Sequence, residues 1–386
     1  MKQPLLYRVV RYAQAIILGL TLGYCAQIIC SFMESYTRLT FLLIALLLYP
    51  VAWGFGLFLS LVHEAGHLVG GLLSGRKMYY VSVAGHCLVR RPDGRFRRGY
   101  AATPGVGGVC STVSEGSPQP FRLYLLLGPL STLLVGGLCA YLALVSYPAW
   151  ELPWEVALRR TILHIPMVLM AVQGIAGCIV NLIPMHISGG MSDGMQLLSL
   201  SFNRQSRADW EQCGRIAHLT WQGLTLPEMP EELFAPLPME RLTSPYAREL
   251  TLYQLDRLTD LGELAAALTL CHELTEAELP LSPLERLCIT RTGAVCEALT
   301  DGPGPFCQRM AEQDMQRLMR FARKTIGTQL TQYATAKLVD RDEALAARHL
   351  ADFTRSVARS PFLESARLDG SLITLIDAKA KEAPHV

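Results

Sequence analysis

Between Thr40 and Leu73 the chain carries one long apolar run whose only formally charged residue is Glu64. In lipid a spanning segment has to satisfy its backbone polar groups internally, so a run of this length can be little other than a helix. It is longer than a bilayer needs, and Pro50, Gly54 and Gly56 give it places to bend. Its last third reads Leu61-Val62-His63-Glu64-Ala65-Gly66-His67-Leu68-Val69-Gly70, an H-E-x-x-H motif. On a helix His63 and His67 stand one turn apart on one face, so both imidazoles can reach one ion. Glu64 lies beside them, where a carboxylate can take a proton from a water activated by that ion. The alternative is a helix with two satisfied histidines, but polar groups this close together in an apolar helix need a reason to be there.

Three further apolar runs accompany it: Tyr12 to Met33, Phe121 to Tyr147 and Thr161 to Met185. With a mean hydropathy of +0.26 and only 18% charged residues, the chain is too apolar for an ordinary soluble domain. Lys2, Arg8 and Arg11 precede the first run, as in a signal peptide. That run is too long for a cleaved segment and lacks a small-x-small site, so it reads as an anchored first span. The formal net charge of +2 carries no nucleic-acid footprint. Eleven cysteines without a C-x-x-C pair argue for a reducing compartment rather than a disulfide framework.

The 75–121 loop holds Arg76, Lys77, Arg90, Arg91, Arg95, Arg97 and Arg98. Pro92-Asp93-Gly94 is a turn signal between Cys87-Leu88-Val89 and Arg95-Phe96, predicting a small β-hairpin. Pro104-Gly105-Val106-Gly107-Gly108 reads as a flexible, close-packed segment. Basic residues in the N-terminus and in this loop place both in the cytosol, with Arg159 and Arg160 in conflict. The fold class expected is an all-α membrane protein: about four transmembrane helices, a small cytosolic β-hairpin loop and a C-terminal cytosolic α-helical, repeat-like domain. Residues 1–200 form the membrane core. A connecting helix and Pro-rich linker (Pro227, Pro230, Pro236, Pro238, Pro245) fill 201–245, and the helical domain follows over 246–386. A plain helical bundle is the other reading of that domain, because no strict repeat period stands out.

A catalytic zinc takes three protein ligands and a water. The stretch Asn181-Leu182-Ile183-Pro184-Met185-His186-Ile187-Ser188-Gly189-Gly190-Met191-Ser192-Asp193-Gly194 closes the fourth span on the same membrane side as His63. Asp193 is the candidate third ligand and His186 the alternative; Asp193 could instead cap the helix that begins there. Gly66-x-x-x-Gly70, and Gly174 and Gly177 on span four, offer small faces for close helix approach.

With H-E-x-x-H in one span and N-x-x-P…D-G at a later one, residues 40–195 resemble the site-2 protease family of intramembrane zinc metalloproteases. The resemblance implies Zn²⁺ held by His63, His67 and Asp193, with Glu64 as catalytic base and Asn181 at the substrate backbone. Two departures stand out. Asn181 and Asp193 are about four residues further apart than the family pattern has them, through the segment Met185–Gly190. Gly128-Pro129-Leu130-Ser131-Thr132 resembles the family's G-P-x-x-N without its Asn. The implied protein sits in a prokaryotic cell membrane, multi-pass, with both termini cytosolic. It hydrolyses a peptide bond in or near a transmembrane segment of a membrane protein or hydrophobic peptide. The hairpin would offer a strand edge to the unwound substrate, or shield the site and touch lipid headgroups. The C-terminal helices would bind a substrate tail or a cytosolic regulator. A catalytically silent membrane scaffold recruiting partners through those helices is the competing class. A transporter is disfavoured, since no inverted repeat of broken helices is visible.

Overall fold

The computed structural model describes residues 5–33, 35–105, 107–114, 120–148, 152–187 and 190–382, by backbone alone over 363–371. Lys2, Glu34, Val106, Ser188 and Gly189 lie outside them. Four helices are long and apolar enough to cross a membrane: α1 (Leu5–Cys30), α2 (Arg38–Leu73), α3 (Arg122–Val145) and α4 (Trp154–Leu182). At 1.5 Å per residue, α2 is about 54 Å long and overshoots the ~30 Å of a bilayer's hydrocarbon. Pro50 lies inside it without ending it, and Thr37 caps its start by accepting from the Thr40 amide at 3.1 Å. α3 packs between α2 and α4, and α1 lies against α2 and α4. The inner contact is small, with Leu22, Cys25, Ala52, Ile165 and Leu169 at its centre. Large apolar side chains such as Leu20, Leu46, Leu134 and Leu144 point outward and are exposed.

The loop after α2 is a four-stranded antiparallel sheet, where the sequence predicted one hairpin. Its strands are β1 (Lys77–Val83), β2 (His86–Arg90), β3 (Phe96–Tyr100) and β4 (Gly108–Val113), in the order β3-β2-β1-β4. The predicted hairpin is β2–β3, turning through Gly94. A second hairpin joins β1 to β2 through Ala84-Gly85, both at positive φ, the turn that matches strand twist. The glycine-rich segment leads into β4, which pairs with β1 and forms one edge of the sheet. Arg76, buried at the end of α2, fixes this edge: its Nε donates to Thr112 Oγ1 at 2.7 Å and its Nη2 to the Thr112 carbonyl at 2.6 Å.

After α4 come the short strands β5 (His186–Ile187) and β6 (Gly190–Met191), then α5 (Asp193–Phe202) and α6 (Arg204–Trp221). The Pro-rich stretch is compact and packed, unlike the linker expected. It winds through three 3₁₀ turns, and its Met229, Leu233 and Phe234 are buried with Cys213 and Ile216 of α6 and Leu250. Beyond it, α7 (Pro245–Asp260), α8 (Leu264–Glu276), α9 (Pro283–Leu299), α10 (Pro305–Ala311), α11 (Gln313–Phe321), α12 (Ile326–Ala334), α13 (Glu343–Arg359) and α14 (Leu363–Glu382) complete the chain. In a solenoid each repeat touches only its neighbours. Here α9 touches α7, α8, α10, α11, α12 and α14, and nearly its whole C-terminal half is buried. With neighbours around it on several sides, α9 is the centre of a bundle. α6 and the bundle both dock on the sheet: the Trp221 indole of α6 donates to the Arg90 carbonyl at 2.7 Å, and Phe362 packs on Tyr79 and Tyr80.

Candidate metal centre

α2 and α3 meet where Gly66 and Gly70 face the backbone of α3. A Cβ at either position would strike the carbonyl of Leu127 or of Leu123. One turn away, Gly128 of α3 leaves the space that the His67 ring fills. The ring is then fixed by its Nδ1, which donates to the Tyr124 carbonyl at 2.6 Å. With its proton on Nδ1, the neutral ring turns a bare lone pair outward from Nε2. Gly174 of α4 likewise packs against Gly136 of α3, whereas Gly177 faces open space.

Asp193 arrives from α5. The helix is capped by Ser192, whose Oγ accepts from the Met195 amide at 3.2 Å, so the Asp193 side chain is not spent on capping. Gly194 abuts the last turn of α4, where a Cβ would collide with the Leu182 carbonyl. The extra residues after Met185 leave as β5 and return as β6. Met185 and Ser192 meet at the hairpin's base, the Ser192 amide donating to the Met185 carbonyl at 3.0 Å. The longer spacing is thus absorbed in a side excursion. Burial would push the Asp193 carboxyl up, but the two imidazoles of His63 and His67 outweigh it and hold the group below its ordinary value.

Three donors converge. His63 Nε2 and His67 Nε2 are 3.1 Å apart. Asp193 presents Oδ2 to His63 Nε2 at 3.1 Å and Oδ1 to His67 Nε2 at 3.4 Å. Three atoms each ~2.0–2.1 Å from one ion, at tetrahedral angles, stand about 3.3 Å apart. Asp193 Oδ2 is buried and faces His63 without the alignment of a hydrogen bond. Two imidazole nitrogens and a carboxylate this close together could hold a metal ion. His186 lines the neighbouring cavity but is exposed and lies outside this donor group.

Comparison with protein-family models, curated proteins and solved structures finds no match to this chain.

Glu64 is buried beside the donors and takes a hydrogen bond from the backbone of Cys110 in β4. Gly108 lies against its carboxylate so closely that a Cβ would be 2.6 Å from Oε1. Asn181, in the last turn of α4, donates from Nδ2 to the Gly177 carbonyl at 2.9 Å and lines the same cavity. Thr132, where the resemblance would have Asn, donates back to the Pro129 carbonyl at 2.8 Å. The polar contact between helices comes instead from Ser131, whose Oγ is 2.9 Å from the Val62 carbonyl of α2. The cavity has a volume of about 1170 Å³ and runs from Gly56 and Gln173, deep among the apolar helices, past the donors. Gly107 to Ser111 form one side, so the edge strand β4 borders it. Sequence reasoning missed Tyr124, which acts through a backbone carbonyl and leaves no side-chain signal. It also missed Ser192, whose signal was the serine directly before Asp193.

Proposed function

We propose that this chain is an intramembrane zinc metalloendopeptidase that hydrolyses a peptide bond in or near a transmembrane segment of a membrane protein or hydrophobic peptide. The observation that carries the reading is the convergence of His63, His67 and Asp193 beside a buried Glu64, among helices of membrane length. His63, His67 and Asp193 would hold the ion. A Zn²⁺ bound there would supply a Lewis acid that polarises the scissile carbonyl and brings the acidity of water to ~7. Glu64 takes the proton of the attacking water and passes it to the leaving amine. The free N–H of Asn181 is available to a substrate carbonyl or the developing oxyanion.

A substrate helix has its amides hydrogen-bonded internally, so it has to unwind before it can react. The edge strand β4 borders the cavity and could receive such an unwound strand at Gly108, since further along Cys110 is engaged by Glu64 and Tyr124 and the Thr112 carbonyl by Arg76. Four crossings put both termini on one side, and the basic residues of the sheet make that side the cytosol. The test is turnover of single-span peptides by the purified protein in liposomes. Glu64→Gln should lower it by about 10²–10⁴-fold with zinc retained. Undiminished turnover would remove Glu64 from the chemistry. Stoichiometric zinc without cleavage of any peptide would favour the scaffold reading.

A further inference from the structure

The cavity beside the metal centre continues past the sheet, and its far wall is the carboxyl-terminal bundle. Tyr246, Glu249 and Leu252 of α7 line it, with Leu281 and Leu284 at the entry to α9. Arg248 is also there, but its charge is already answered. Its Nε donates to Glu285 Oε1 at 2.7 Å and its Nη1 to the carbonyls of Leu242 and Thr243 at 3.1 Å. Glu249 is different. Among the described residues its hydrogen-bond partner is the Tyr253 hydroxyl, at 3.3 Å, and no cation stands within ion-pairing distance. Its side chain is exposed and lines the cavity. Desolvation by the neighbouring wall pushes its carboxyl up, against the Tyr253 hydrogen bond, and Glu285 adds to the rise. Tyr80 in β1 stands between the two ends, near enough to both Glu64 and Glu249 to feel each charge.

We propose that Glu249 is a specificity-determining subsite that receives a lysine or arginine from the cytosolic flank of the substrate's membrane segment. This rests on the protease reading above. One cavity reaches from β4 to the bundle, and cytosolic flanks of membrane spans are enriched in Lys and Arg. Such a side chain brings the counter-charge that Glu249 lacks and forms a charge-assisted hydrogen bond at the cavity wall. Leu252, Leu281 and Leu284 lie along the same wall, where the aliphatic stem can rest.

The test uses the full chain carrying Glu64→Gln, so that binding is read without turnover. Fluorescent single-span peptides are flanked on one end by Lys-Lys, Gln-Gln or Glu-Glu, and affinity is measured by anisotropy in one detergent. The Lys-Lys peptide should bind about tenfold more tightly than the Gln-Gln peptide. Adding Glu249→Gln should level the two, and Glu249→Lys should make the Glu-Glu peptide the tightest. The Gln-Gln peptide, unchanged throughout, reports an intact fold. A lysine preference that survives both substitutions, or no preference at the outset, overturns the subsite. Cleavage by the unsubstituted chain is followed in parallel. A preference that depends on Glu249, without cleavage, keeps the subsite and removes the protease; cleavage without the preference does the reverse.

Discussion

Asp193 reaches the two imidazoles because a neighbour relieves it of another duty. Ser192 takes the capping position at the start of α5, and Gly194 lets that helix press against the end of α4. The triplet Ser-Asp-Gly is therefore three roles in three residues: cap, donor and close contact. Asp193→Ala should strip the bound metal, with an affinity loss beyond the about 10–100-fold typical of an outer-shell partner. His186→Ala should leave metal content unchanged, since that ring stands outside the donor group. Metal analysis of the purified proteins, side by side, decides between them. Gly128 makes a sharper case because it touches no ion. Its replacement by Val should push the His67 ring from its place and lower zinc affinity by about 10–100-fold. An affinity equal to wild type, measured by chelator competition, would show that the ring has room to spare.

At the scale of elements, the contact of α2 with α3 decides whether the site can form at all. Gly66 and Gly70 bring the two backbones together, and Ser131 adds a hydroxyl between them. In lipid such packing replaces the hydrophobic effect as the cohesive force. Gly66→Leu has nowhere to put its side chain except the α3 backbone. It should cost about 1–3 kcal/mol or more of stability, read as an earlier unfolding midpoint in denaturing detergent, and it should lower zinc content with it. The elements legible in the sequence were those whose signal is local. Apolar length marked four helices, H-E-x-x-H marked one face of α2, and Pro92-Asp93-Gly94 marked the β2–β3 turn. What escaped was non-local. β1 and β4 find each other across the intervening hairpin, and only pairing shows that the glycine-rich run ends in a strand. The proline-rich stretch looked like a linker because its prolines are local, whereas the burial of Met229, Leu233 and Phe234 depends on α6 and α7. The excursion after Met185 shows the same limit. Spacing counted along the chain left His186 open as an alternative third ligand, and only the β5–β6 pairing shows how the extra residues are set aside.

At the scale of the whole molecule, one cavity joins residues midway along the apolar helices, such as Gly56 and Gln173, to the carboxyl-terminal bundle. That continuity has meaning only if sheet and bundle share one side of the membrane. If α1 to α4 all cross, the segment between α2 and α3 and everything after α4 would emerge on the same face, and the turn between α3 and α4 on the other. Arg159 and Arg160 near that turn oppose the charge rule, so the assignment needs a direct measurement. The native cysteines are buried or half-buried and can be replaced to give a quiet background. Single cysteines are then placed at Arg95 in the β2–β3 turn, at Arg320 in α11 and at Glu155 at the start of α4, all exposed positions. In sealed right-side-out vesicles a membrane-impermeant maleimide should label only the cysteine at 155. In inverted vesicles it should label those at 95 and 320 and spare 155. Labelling of 95 and 320 from opposite sides would separate the sheet from the bundle. It would leave the metal centre as a buried trio without the wall that Glu249 provides, and the path from membrane to bundle would have to be abandoned.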